Sequence, residues 1–176
     1  MTEPARDGVL LTRLRPPRAE DAALLAAWRA APASPFDDWS GPEAPGVGSD
    51  VHLLPPHGGG SLVVTDAEDH PIGTVSWRPV QYGPNLGSQA QDIGIALRPE
   101  SRGQGHGARA QRMLAQYLFA TTPVHRVQAT TDVDNVAEQH ALERAGFHRE
   151  GVLREAQWRL GDWHDLVSYA RLRQDT

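Results

Sequence analysis

The stretch with the clearest chemical potential is Arg102-Gly103-Gln104-Gly105-His106-Gly107-Ala108. Alternating glycines let the backbone take positive φ and let a ligand approach its amides. Between a strand end and a helix start, such a loop offers free N–H groups and a helix dipole to an anion, typically a phosphate. This cradle needs no lysine, and the chain has none: all 17 of its basic residues are arginine. Cysteine is absent too. The two absences exclude disulfides, cysteine-ligated zinc, iron–sulfur clusters, a thiol nucleophile and Schiff-base chemistry. Asp, Glu, His, Ser, Thr, Tyr, Arg and backbone amides remain.

Which phosphate ligand the loop takes is a separate question. Gly103, Gly105 and Ala108 also fit a dinucleotide fingerprint, but that motif opens a βαβ unit and has an acidic residue about 20 positions later. Here roughly 90 residues precede the loop, and Val124-His125-Arg126 stand near the acidic position. A glycine-rich connection with no ligand is the plain alternative, and the strand–loop–helix context speaks against it. Metal chemistry finds little support. Asp132-Val-Asp134-Asn135 starts like a calcium loop but lacks its glycine and distant glutamate, and no His-Glu-x-x-His pattern occurs.

The elements that must hold this loop follow from periodicity. Val9–Arg15 alternates as a first strand, Pro16-Pro17 stops it, and Glu20–Ala31 carries Leu24, Leu25 and Trp28 at helical spacing. Residues 32–60 hold six prolines and six glycines, which predicts a long loop: a tolerated insertion, or a lid or substrate wall. In the second case Asp37, Asp38 and Trp39 would suit a cationic amine. Ser61–Asp66 and Ile72–Trp77 read as a hairpin around Ala67–His70, and Pro79–Gly87 as a loop. Asp92–Leu97 is a strand. His106–Ala120 is a helix with Met113, Leu114, Tyr117 and Leu118 as its apolar stripe, and Trp28 and Trp77 take core positions. Val124–Thr131 is a strand, and Asn135–Ala145 a helix closed by Gly146. Strands at Gly151–Leu160 and Trp163–Leu172 join across Gly161-Asp162. With 176 residues and no internal repeat, this is one α/β domain, a mixed sheet with helices on both faces.

Bulk properties narrow the partners. A formal charge of −5 argues against nucleic acid as the main ligand. Mean hydropathy is −0.48, and no apolar run approaches the ~20 residues of a membrane span. The N-terminal residues lack a signal-peptide core. A cytoplasmic protein without a membrane partner is the expectation.

Arg102–Gly107 resembles the acyl-CoA pyrophosphate loop of the GNAT N-acetyltransferases, Gln/Arg-x-x-Gly-x-Gly/Ala. Three further stretches resemble the RimJ/RimL-type branch: Asp92–Glu100 before the loop, Asp134-Asn135 with Leu142–Phe147 after it, and Glu150–Glu155 followed by Trp163. The resemblance is close from Asp92 to the C-terminus and looser over 1–90. It implies one domain over 1–176 with six to seven strands splayed apart at the centre. It implies acetyl-CoA as cosubstrate and no metal. Pantetheine would lie along Ile95, Ala96 and Leu97, with Asn135 contacting it. The pyrophosphate would sit on amides from Gly103 through Gln104, Gly105, His106 and Gly107 to Ala108, with Arg102 beside it. The acceptor would be a primary amine, either a small molecule or a protein N-terminus, and the final strands suggest a homodimer.

Acyl transfer to an amine needs a base, oxyanion donors and a fate for the leaving thiolate, but no covalent acyl-enzyme. Asp92 lies near where many family members carry a glutamate base, and it also reads as a strand-end carboxylate that bonds locally. Glu138 is the second candidate, although Asn135-Val-Ala-Glu138 is also a capping box. Relatives place Ser at the Glu138 position and often a Tyr acid where this chain has Leu142. Ser168 and Tyr169 fall where the family's acceptor site has its far wall. Two alternatives keep the fold: an acyl-CoA-binding sensor that has lost turnover, and a transferase that takes its acyl group from a carrier protein.

Overall fold

The computed structural model describes residues 11–30, 34–36, 38 and 58–175. Seven strands and three α-helices alternate along them: β1 (Arg13–Arg15), α1 (Ala22–Ala30), β2 (Gly60–Thr65), β3 (Pro71–Gln81), β4 (Gln89–Leu97), α2 (His106–Thr121), β5 (Arg126–Asp132), α3 (Val136–Arg144), β6 (His148–Arg159) and β7 (Asp162–Leu172). The strands form one mixed sheet in the order β1-β2-β3-β4-β5-β7-β6. Every neighbouring pair is antiparallel except β4 and β5.

That parallel pair positions the site. β4 and β5 are in register only at Gln91–Val127 and Asp92–Gln128. Beyond Asp92 the two strands part, so residues 93–97 of β4 have a strand partner only on the β3 side. This is the expected central splay.

The core is built on α2. Leu114 and Leu118 are fully buried among Val75, Ile93, Val127 and Leu142. Each such leucine contributes about 2–3 kcal/mol through burial. Phe119, not Tyr117, completes the stripe: Tyr117 is 43% exposed and meets the Trp77 ring edge-on. Trp77 packs against the core, whereas Trp28 is half-buried beneath the Arg98 guanidinium. α3 ends as its sequence predicts. Gly146 takes φ +89°, its N–H donates to Glu143 O, and Phe147 N–H donates to Leu142 O, which is the Schellman pattern.

Several boundaries differ from expectation. α1 starts two residues late, because Asp21 accepts from Arg18 N–H and from Arg15 and holds residues 19–21 in a tight turn. β3 runs through Pro79 to Gln81 instead of stopping at Trp77. β2 begins at Gly60, opposite Trp77, so past that point β3 has one strand neighbour among the described residues and proline's missing N–H can face away from it. The last hairpin turns on Leu160-Gly161, one residue earlier than expected. Both residues have positive φ (54° and 84°), as a two-residue type I′ loop requires.

Candidate active site

A cleft of about 650 Å³ opens where β4 and β5 part. One wall is residues 93–97 of β4, the other residues 129–132 of β5. The glycine loop, the start of α2 and one side of α3 complete it, together with Ser34, Pro35, Phe36, Gln157 and Arg159. Most of the residues expected at the donor site therefore meet in one place: Ile95, Ala96, Leu97, Arg102, Gly103, Gly105, Gly107, Ala108 and Asn135 all line it.

The loop has the geometry of an anion cradle. Gly103 and Gly105 have φ of +70° and +88°. A Cβ on Gly103 would meet nothing within 4 Å, so the residue is required for its backbone conformation, not for space. Gly105 is the N-cap of α2 and supplies no side-chain cap. The first-turn amides of α2, which have no intrahelical acceptor, are thus left for an anion. Arg102 fastens the loop to β4 through Nε and Leu97 O at 2.9 Å. The Gln104 side chain donates to Glu100 O and is exposed, outside the cleft lining. His106 is buried with Nδ1 3.0 Å from Thr12 Oγ1, and burial lowers its pKa, so the ring is neutral near pH 7. What Gln104 and His106 can offer an anion is backbone.

The candidate base residues separate. Glu138 lines the cleft. Its N–H donates to Asn135 Oδ1 at 3.3 Å, which forms the Asn half of the expected capping box. Asp92 stands at the closed end of the splay, paired with Gln128 in the last rung, and is not among the cleft-lining residues. Its carboxylate is held by Arg78, 3.0 Å from Nε and 2.9 Å from Nη2. Among the acceptor-side candidates, Asp38 is half-buried and engaged with another residue, while Asp37 and Trp39 lie outside the described residues.

Tyrosine takes no part in the cleft lining. Leu142 and Tyr169 are both fully buried, and Tyr169 donates to Glu143 Oε1 at 3.2 Å. Ser168 lines a second cleft of about 600 Å³ with Tyr82 and Glu150, which touches the first at Thr130.

Sequence reasoning missed a buried polar cluster on the cleft wall. Arg159 Nη2 donates to Asp132 Oδ2 at 2.5 Å and lies 3.2 Å from His164 Nδ1, while Nη1 donates to Gln157 Oε1 at 2.6 Å. His164 Nε2 lies 3.1 Å from Arg159 O and its Nδ1 3.3 Å from Asp132 Oδ2, so the imidazole bridges both members of the pair. Phe36 lies against the guanidinium, 5.6 Å from Cζ to ring centroid. Burial works against the Asp132 carboxylate, but the Asp134 N–H, Arg159 and His164 outweigh it and hold its pKa below 3.8. Arg159 and His164 face each other across the last hairpin, but Asp132 is 27 residues before Arg159 and joins them only through the β5–β7 and β7–β6 registers, so spacing carried no signal.

A sheet parted at its centre, with a glycine-flanked helix N-terminus at the open end, defines a class of acyltransferase fold. Comparison with known proteins agrees: residues 12–148 match the family described as Acetyltransferase (GNAT) domain, and the chain belongs to that family. The probable N-acetyltransferase YjcK of Bacillus subtilis is 33% identical over 113 residues, 64% of this chain and 61% of that protein. The chain therefore matches less than two thirds of that relative's length. Among solved structures, the ribosomal-protein-S5-alanine acetyltransferase of Vibrio fischeri superposes with a TM-score of 0.71 at 20% identity, covering 96% of this chain and 98% of that one. Spermidine N-acetyltransferase of Vibrio cholerae, in complex with CoA and spermine, gives 0.70 at 21% identity, covering 93% and 96%. Both are likenesses of fold. Among the described residues no helix is long and apolar enough to cross a membrane.

Proposed function

We propose that this chain transfers an acetyl group from acetyl-CoA to a primary amine by direct attack in a ternary complex. The observation that carries the reading is the parted edge of β4 leading, through Gly103 and Gly105, to the N-terminus of α2, which has no side-chain cap. The residues present fit the donor. Amides from Gly103 to Ala108, with Arg102, would hold the pyrophosphate, and the parted edge at Ile95, Ala96 and Leu97, with Asn135, would hold the pantetheine. Bound acetyl-CoA supplies the activated thioester.

The chain's own groups do the rest. Unpaired N–H groups on the parted β4 edge suit an oxyanion donor. Glu138 is the base its place in the cleft supports, taking the proton from the attacking amine. Asp92 is the second assignment, favoured by its position at the closed end of the splay. With no tyrosine in the cleft lining, we assign protonation of the leaving thiolate to water.

The amine belongs at the polar end of the cleft, formed by Asp132, Gln157 and Arg159 beside Phe36, with Asp37, Asp38 and Trp39 following in the chain. We place the chain in the RimJ/RimL-like branch, with a small amine or a protein N-terminus as acceptor. Names among its relatives and structural neighbours support both classes. One domain over 1–176 with an insertion at 32–60, a cytoplasmic location and a homodimer through the final strands belong to the same reading. Release of free thiol from acetyl-CoA across a panel of polyamines, aminoglycosides and N-terminal peptides tests it. A second reading, a CoA-binding sensor, is favoured by the lack of a cleft tyrosine. Tight CoA binding without thiol release on the whole panel would select it.

A further inference from the structure

We propose that Gln111 is a further residue of the donor site, pairing its carboxamide with a secondary amide of the pantetheine arm; this rests on the acyl-CoA reading above. Gln111 lies on α2, lines the cleft and is 1% exposed. Its Oε1 and Nε2 are both buried, and neither has a hydrogen-bond partner among the described residues.

Its position makes this unusual. Gln111 stands three residues before Leu114 and seven before Leu118, on the packed face of the helix. The other buried residues of α2 beyond His106 are Ala110, Leu114, Ala115, Leu118 and Phe119, all apolar. A carboxamide buried there without partners is unfavourable, and an apolar side chain of similar length would relieve it. Buried polar groups left unpaired in a native structure point to a partner that binds them.

The chemistry of that partner follows from the carboxamide. It offers an acceptor and donors side by side, and both ends are unsatisfied. A secondary amide, which presents C=O and N–H together, satisfies both. An acyl carbonyl would take only the donor and leave Oε1 orphaned. Gln111 is five residues past His106, about 8 Å along the helix from the phosphate cradle. That lies beyond the pyrophosphate and alongside the arm, whose two amides come before its thiol. Among the other polar side chains of the cleft, Asn135 accepts through Oδ1 from Glu138 N–H, and Asp132 and Arg159 hold each other.

Calorimetry with wild type, Gln111→Leu and Gln111→Met tests this with three probes: CoA, acetyl-CoA and adenosine 3′,5′-diphosphate, which lacks the arm. We expect both variants to weaken CoA and acetyl-CoA alike, by about tenfold or more. Adenosine 3′,5′-diphosphate binding should stay unchanged, and the ligand-free Tm should stand at or above wild type. CoA binding as tight as wild type in both variants overturns the inference alone. So does an equal loss for CoA and adenosine 3′,5′-diphosphate, or a loss for acetyl-CoA that CoA does not share. Absence of CoA binding by the wild-type chain overturns the acyl-CoA reading and this inference with it.

Discussion

Arg159 donates to Asp132 at 2.5 Å with both side chains at most 4% exposed, so the cleft wall is braced by a charge pair withdrawn from water. Breaking such a pair on one side leaves the other charge buried alone, which costs about 3–5 kcal/mol. Asp132→Asn and Arg159→Met should each lower stability by that order in urea unfolding, and the double variant by less than the sum. The pH sense follows from the lowered Asp132 pKa. Its stabilisation is fully present above the unfolded value of 3.8 and is lost as pH falls through the folded one. Asp132→Asn should flatten the acid limb of wild type below about pH 4 and leave the slope between neutral pH and pH 4 unchanged.

The phosphate cradle gives a second prediction. Gly103→Ala has room for its methyl but must hold φ near +70°, which costs about 1–2 kcal/mol. If the loop amides receive the pyrophosphate, that methyl also stands where the ligand approaches. The dissociation constant for CoA should rise about tenfold, a change of about 1.4 kcal/mol. Calorimetry and thermal unfolding on the same variant separate the two effects.

The base assignment separates by rate. Glu138→Gln should lower kcat by about 10²-fold or more and remove the acidic limb of the pH–rate profile. Asp92→Asn, which releases Arg78 at the closed end of the splay, should change kcat only a few-fold. The reverse pattern would move the base to Asp92.

Much of this architecture was legible in the sequence because it is local. The loop from Arg102 to Gly107, the closure of α3 at Gly146 and the alternation of β4 each depend on residues within a few positions, where propensity and backbone sterics act directly. The splay came from family resemblance, and the two-rung pairing of β4 with β5 bears it out. What escaped was set by tertiary context. Pro79 looked like a strand breaker, yet β3 continues because beyond Trp77 its one strand neighbour among the described residues is β4. Tyr117 looked like core, yet the helix face turns it toward solvent and seats Phe119 instead. Asp132 meets Arg159 and His164 only through the pairing of the sheet, and the burial of Gln111 emerges only when the helix is packed.

The Leu160-Gly161 turn offers a stability test independent of function. Leu160 is 46% exposed with φ at 54°, a conformation that costs a bulky residue about 1–2 kcal/mol. Asn suits the first position of a type I′ turn. Leu160→Asn should raise the Tm by a few degrees and leave CoA binding unchanged.

The central claim is that the parted strands and the glycine loop form one site for an acyl-CoA. Calorimetric titration of the purified chain with acetyl-CoA tests it most directly. Saturable one-to-one binding is the predicted result, competed by adenosine 3′,5′-diphosphate and weakened in Gly103→Ala. No detectable binding of acetyl-CoA or CoA, or binding that Gly103→Ala leaves untouched, would contradict it.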